Sequence, residues 1–180
     1  MASTHRPAAV KYFIAALFRD RACRDTGIAL AVDAWGIIDF HGADHLFDVT
    51  EYYEPEMGTP LYRRLVSFEK LMEPTVLIDM KLACNQIEDG LRTDGKRTVN
   101  LDAGYLDHNK VLLASAKEAG QKIYLDKGVY ADLAGRYKAG KYQPFEWSFP
   151  DFKDGRYDSE LLTIRAKYLE QVKKTRDFKE

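Results

Sequence analysis

From Tyr12 to Phe18 the chain is continuously apolar, the pattern of a strand covered on both faces rather than one facing water. Asp20–Val32 follows as a short helix, although Gly27 inside it costs about 1 kcal/mol relative to alanine. Trp35–Phe40 reads as a second strand and Leu46–Tyr53 as a third. Glu54–Pro55 and Gly58–Thr59–Pro60 interrupt the pattern, and Leu61–Phe68 resumes it as a further strand. Glu73–Arg92 is the clearest helix. Leu77, Met80, Cys84, Ile87 and Leu91 repeat along one face, and Lys81, Asn85, Glu88 and Arg92 form a polar stripe beside it.

After Thr98 the period changes to two. Val99, Leu101 and Ala103 alternate with Asn100 and Asp102, so the two polar side chains share one face of a strand. Lys110–Ala116 fits either a strand or a helix. Gln121–Leu125, Val129–Tyr137 and Lys141–Trp147 read as strands joined by Asp126–Lys127–Gly128 and Lys138–Ala139–Gly140, both hairpin signals. Tyr157–Arg176 closes the chain as a helix. The order predicts an α+β fold with a mostly antiparallel sheet. It has a ferredoxin-like β-α-β-β-α-β opening, C-terminal hairpins and a closing helix. Residues 1–10 are expected to be a flexible N-terminal segment, and residues 11–176 one domain of ordinary size.

Composition narrows the picture. With 46% hydrophobic and 31% charged residues the chain is globular. Its 27 basic and 28 acidic side chains give a net charge of −1, so no global field draws it to nucleic acid or anionic lipid. Cys23 and Cys84 are too few for a disulfide framework or a cysteine zinc site, and they suit a reducing cytoplasm. The apolar start Ala8–Phe18 contains Lys11 and is shorter than the ~20 residues a membrane helix needs, so no membrane span is expected.

Two blocks carry more polar chemistry than a plain core requires: Asp48–Gly58 (DVTEYYEPEMG) and Thr98–Lys117 (TVNLDAGYLDHNKVLLASAK). In the second, Asp102 and His108 stand as a candidate catalytic pair, with His108 as a general base oriented by Asp102. Asn100, Tyr105, Lys110 and Lys117 are candidate ligand-binding residues there, and Tyr53, Glu54 and Glu56 are candidates from the acidic block. The same residues also suit a one-sided sheet and its solvated turns. Gly90–Thr98 (GLRTDGKRT) nearly spells a phosphate-binding loop. Arg97 stands where the hydroxyl is required, and the helix precedes the loop instead of following it. It reads as a helix end with Lys96 and Arg97 at the surface. Asp39–Asp48 (DFHGADHLFD) holds two histidines and three aspartates at no standard metal spacing, so no metal site is expected and the segment reads as a solvated loop. Ile123–Trp147 interleaves tyrosines with lysine and arginine, a pattern that can stack bases and track phosphates or simply form hairpins.

These blocks carry a family resemblance. KYFIAALF, FDVTEYYEPEMG, RRLVSFEKL, DMKLACNQIE, DGKRTVNLDAGYL, KVLLASAK and IYLDKGVYADLAGRYKAGKYQPFEW, with Phe149–Pro150–Asp151 after them, resemble the bacterial family catalogued as domain of unknown function 4416. The likeness spans about residues 11–170, and the histidine-rich stretch at His41 and His45 departs from the pattern. It implies a stand-alone single-domain protein with no defined activity, cofactor or catalytic residue to carry over. Some similar proteins are labelled GTP-binding, for which the loop above gives no basis.

Three functions follow as expectations. The first is a small-molecule or nucleotide site lined by residues 48–58 and 98–110, with hydrolase- or transferase-like chemistry. The alternative is a non-catalytic RNA- or protein-binding module using the hairpins of residues 121–147, RNA being the less favoured partner. The third is a homo-oligomer joined through strand edges or the last helix.

Overall fold

The computed structural model describes residues 3–177. Residues 1–2 and 178–180 lie outside them, and with Met1 and Ala2 the start of the expected N-terminal segment. Strand β1 (Val10–Phe18) is buried at every position, starting one residue inside that segment. Tyr12, Ile14, Ala16 and Phe18 enter one core, and Phe13 and Ala15 enter a second. An unbroken apolar run is therefore what this strand needs.

Helix α1 (Arg21–Trp35) starts at Asp20, whose carboxylate accepts hydrogen bonds from the backbone of Ala22 and Cys23. Gly27 has a reason to be there: a Cβ would stand 3.4 Å from Val99, so the missing side chain lets the helix lie close to the sheet. Trp35 still belongs to this helix and Gly36 caps it, so the second strand, β2 (Ile38–His41), begins later than expected.

The third expected strand, Leu46–Tyr53, shrinks to β3 (His45–Leu46). Beyond it the chain curls, because Phe47, Val49, Tyr53, Met57 and Leu61 gather with Leu17 into a small core at the end of the sheet. Glu54–Pro55 starts a short helix, α2 (Glu54–Met57), with proline in its first turn. Strand β4 (Tyr62–Met72) pairs with β1, β2 and β3. Helix α3 (Val76–Gly90) buries Leu77, Met80 and Cys84, with Ile87 and Leu91 half-buried against the same core.

Strand β5 (Val99–Leu106) lies on the other side of β1, giving the order β2-β4-β1-β5 with antiparallel neighbours. Two β-α-β units thus interleave, which is the ferredoxin-like opening. The sheet then continues through β6 (Lys110–Ser115) and β8 (Val129–Lys138), with β7 (Ile123–Asp126) and β9 (Lys141–Pro144) along the outer edge of β8. Lys127–Gly128 and Ala139–Gly140 all have positive φ, the turn type whose twist suits two-residue hairpins. The last strand stops at Pro144, three residues early, because Phe145 turns to stack on Trp147 at 4.8 Å.

Helices α1 and α3 cover one face of this nine-stranded sheet. The opposite face is covered by α4 (Pro150–Lys153) and by Leu161, Ile164 and Tyr168 of the closing helix α5 (Asp158–Asp177). The fold is a single α+β domain. No helix among the described residues is long and apolar enough to cross a membrane.

Candidate functional site

The sheet is not continuous between β5 and β6. They pair only at Gly104–Leu113, Tyr105–Leu112 and Leu106–Val111, beside the turn that joins them. Beyond Gly104 they separate, while β6 stays on β8 as far as Ser115–Tyr130. The backbone of β5 facing the gap is completed from a helix: Glu88 of α3 accepts the Leu101 N–H at 2.7 Å. An unpaired buried N–H costs about 1–3 kcal/mol, so the carboxylate replaces the strand that has left.

The gap opens a cavity of ≈ 660 Å³, within the range of small-molecule pockets. One wall is the polar stripe of α3, with Lys81, Asn85, Glu88 and Arg92. Asn100 and Asp102 of β5 lie across the split from Leu113–Ser115 of β6 and from Ala116 and Lys117 just after it, and Asp132 of β8 completes the lining. Phe47, Tyr52 and Tyr53 come from the acidic loop, and Phe149–Asp151 from the start of α4.

Charge in this lining is balanced and largely paired. Arg97 reaches Asn100 Oδ1 at 2.5 Å, Glu88 at 3.3 Å and Glu56 at 3.2 Å. Asn100 donates to Asp102 at 2.9 Å, and Arg63 lies 3.4 Å from the same carboxylate. Arg63 is itself buried, bonded to Asp151 at 2.5 Å, and Tyr157 donates to Asp151 at 2.9 Å. Lys81 stands 3.9 Å from Asp102, the longest pair in the group. Lys122 donates to Ser115 Oγ at 2.8 Å and lies 3.6 Å from Asp132. Two buried oxygens of the lining residues lack any hydrogen-bond partner among the described residues: Oδ1 of Asp132 and Oδ1 of Asp151. Burial raises the pKa of Asp132 despite Lys122 beside it, and burial also raises that of Glu88. Burial, with Asp102 nearby, pushes the Tyr53 hydroxyl up to about 12.

At the mouth, Lys117 hydrogen-bonds the Tyr52 hydroxyl and lies 4.4 Å from the centre of its ring. That hydrogen bond holds Tyr52 below the usual phenol range. The contact joins the acidic loop to the end of β6, segments 65 residues apart.

Of the residues singled out from the sequence, Tyr53, Asn100, Asp102 and Lys117 line the cavity. Glu56 stands behind it, bonded to Arg92 and Arg97, while Glu54 is exposed at the start of α2. Tyr105 points through the other face of β5, where its ring meets Tyr12 at 5.7 Å. Lys110 pairs with Asp107 in the turn. The Asp102–His108 pair is not formed. His108 packs against Tyr168 at 5.1 Å and its carbonyl accepts from Arg165, whereas the partners of Asp102 are Asn100, Arg63 and Lys81. Arg97, expected at the surface, is turned inward by Glu88 and Asn100. Its loop is a tight turn closed by the Thr93–Lys96 bridge, with positive φ at Asp94 and Gly95.

Ser115, Lys122, Asp132 and Asp151 had no signal in the pattern, since their neighbours come from remote strands. The α3 stripe was visible as a stripe, without a purpose. The segment Asp39–Asp48, expected as a solvated loop, is tied down by ion pairs of its aspartates and a hydrogen bond of His45. Asp39 binds Lys11 at 2.5 Å, Asp44 binds Arg24 and Arg64 at 2.9 and 2.7 Å, and His45 binds Glu160 at 2.8 Å. Among the described residues no group of three or more histidine, cysteine, aspartate or glutamate side chains is placed to hold a metal ion. In the hairpins the tyrosines pack on one another, Tyr124 on Tyr130 at 5.3 Å and Tyr137 on Tyr142 at 5.5 Å.

No curated protein and no solved structure matches this chain. The model of one family does, over residues 8–168, and that match covers the split sheet, α3, the acidic loop and both hairpins. The chain belongs to the family described as Domain of unknown function (DUF4416).

Proposed function

We propose that this protein binds a small polar metabolite in the cavity between β5 and β6. The observation that carries the reading is the split itself. A sheet gains hydrogen bonds by staying paired, yet here two neighbouring strands separate and Glu88 caps the exposed backbone. The space left is lined by charged side chains together with apolar surface from Phe47, Leu113, Phe149 and Pro150. Enclosed polar groups with incomplete hydrogen bonding are the mark of a ligand site more than of a core. A nucleotide or another phosphorylated compound of that size suits the volume, and Tyr53 and Phe149 offer ring faces. Hydrolase- or transferase-like chemistry would draw on Asp102 or Asp132, the carboxylates facing the space.

Native mass spectrometry of the protein after incubation with a metabolite extract tests this. Ala116 is exposed and lines the mouth, so Ala116→Trp blocks entry with little effect on the core. The wild type should retain a non-covalent adduct that Ala116→Trp does not. Adducts of equal mass and intensity on both proteins would refute the cavity as the site.

A further inference from the structure

Resting on that reading of the cavity, we propose that the site has two poles and selects a ligand with two matching ends. Lys117 at the mouth receives an oxyanion, and Asp132 on the inner wall receives an N–H or O–H donor of the same molecule.

The positive pole follows from a comparison of the lining cations. Arg92 and Arg97 each bind carboxylates, Lys81 faces Asp102, and Lys122 faces Asp132. Among the described residues Lys117 is the one lining cation with no carboxylate within 4.0 Å. Its partner is the neutral Tyr52 hydroxyl and the face of that ring. An ammonium has three donors, so Lys117 can keep this contact and still bind an anion. Its backbone is fixed as well: the Lys117 N–H donates to Ser115 Oγ at 3.0 Å, the same oxygen that accepts from Lys122.

The negative pole is Asp132. Its side chain is only 7% exposed, and Oδ2 faces Lys122 while Oδ1 has no partner. A buried carboxylate oxygen without a donor is costly, and a ligand N–H or O–H would complete it. Because the lining also holds equal numbers of acidic and basic groups, a bare anion or a bare cation matches it less well than a molecule carrying both features. A phosphate ester of a hydroxyl- or amino-bearing compound is one source of this chemistry, and a carboxylate carrying the same groups is the other.

Isothermal titration with defined probes separates these arms. The probes are adenosine 5′-monophosphate, ribose 5-phosphate, adenosine, inorganic phosphate, and gluconate as the carboxylate. The proteins are wild type, Lys117→Met, Asp132→Asn and Ala116→Trp. At least one probe carrying both an oxyanion and donors should bind wild type tenfold or more tightly than adenosine or inorganic phosphate. Lys117→Met should weaken it tenfold or more. Asp132→Asn should weaken it by a similar factor while leaving inorganic phosphate unchanged, a split that general unfolding would not produce. Preference for a phosphorylated probe over gluconate, or the reverse, names the source. A probe blocked by Ala116→Trp but indifferent to Lys117→Met and Asp132→Asn would overturn the two poles and leave the cavity standing. Failure of every probe to bind wild type would count against both.

Discussion

A Cβ on Gly104 would stand 2.5 Å from the Leu112 carbonyl oxygen, 2.7 Å from Phe13 and 2.9 Å from Leu113. Two of these neighbours are buried side chains and one is backbone, so none can move aside cheaply. Gly104→Ala should cost about 1–3 kcal/mol by overpacking. Gly120→Ala, with nothing within 4 Å of its Cβ, should be close to neutral. Equal urea midpoints for the two variants would contradict the close pairing of β5 on β6. Asp132 gives a second prediction at this scale. Burial raises its pKa in the folded state, so the folded protein holds that proton more tightly than the unfolded chain does. Its stabilising contribution is therefore present below the ordinary aspartate value of about 4 and is lost as pH rises through the folded value. Wild type should lose stability relative to Asp132→Asn as pH rises above about 4, and a pH-independent difference in urea midpoints would refute this. Strand parity alone placed Asn100 and Asp102 on one face, and their hydrogen bond follows from it. The direction of His108 was not readable, because it sits on a turn where no period fixes the side chain, and its neighbours come from α5.

Helix α3 does two jobs with two faces. Leu77, Met80 and Cys84 hold it on the sheet, and the stripe from Lys81 to Arg92 lines the cavity. Glu88 belongs to both, since it bonds Leu101 N–H and Arg97 together. Glu88→Ala should lose about 1–3 kcal/mol by leaving the Leu101 donor buried and unpaired. Glu88→Gln keeps an acceptor for that donor and should recover most of the loss. Equal destabilisation of the two, measured by chemical denaturation, would show that Glu88 does not complete β5. Most elements were legible from their period and their punctuation. The largest departure was Leu46–Tyr53, whose β-forming residues serve the small core around Leu17 instead of a strand. Propensity there yields to tertiary packing.

At the scale of the molecule, nine strands among the described residues are joined so that every neighbour is antiparallel and the ferredoxin-like half is extended by hairpins. The β-α-β-β-α-β opening was legible from the succession of periods, but the order of the strands in the sheet was not. The split between β5 and β6 was not legible either, since no local pattern records where two paired strands diverge. Four of the cavity residues, Tyr53, Asn100, Asp102 and Lys117, stood out in sequence; the rest are assembled by that divergence. Every proposal above requires that the cavity bind a ligand. The most direct measurement is a thermal-shift series on wild type and Ala116→Trp across nucleotides, sugar phosphates and sugar acids. A ligand at about 100 times its dissociation constant adds ~2.7 kcal/mol, or roughly 5–10 °C for a domain of this size. A ligand site in the cavity requires such a rise for wild type with at least one of these compounds and none for Ala116→Trp. A flat response from wild type, or the same rise in both proteins, would contradict it.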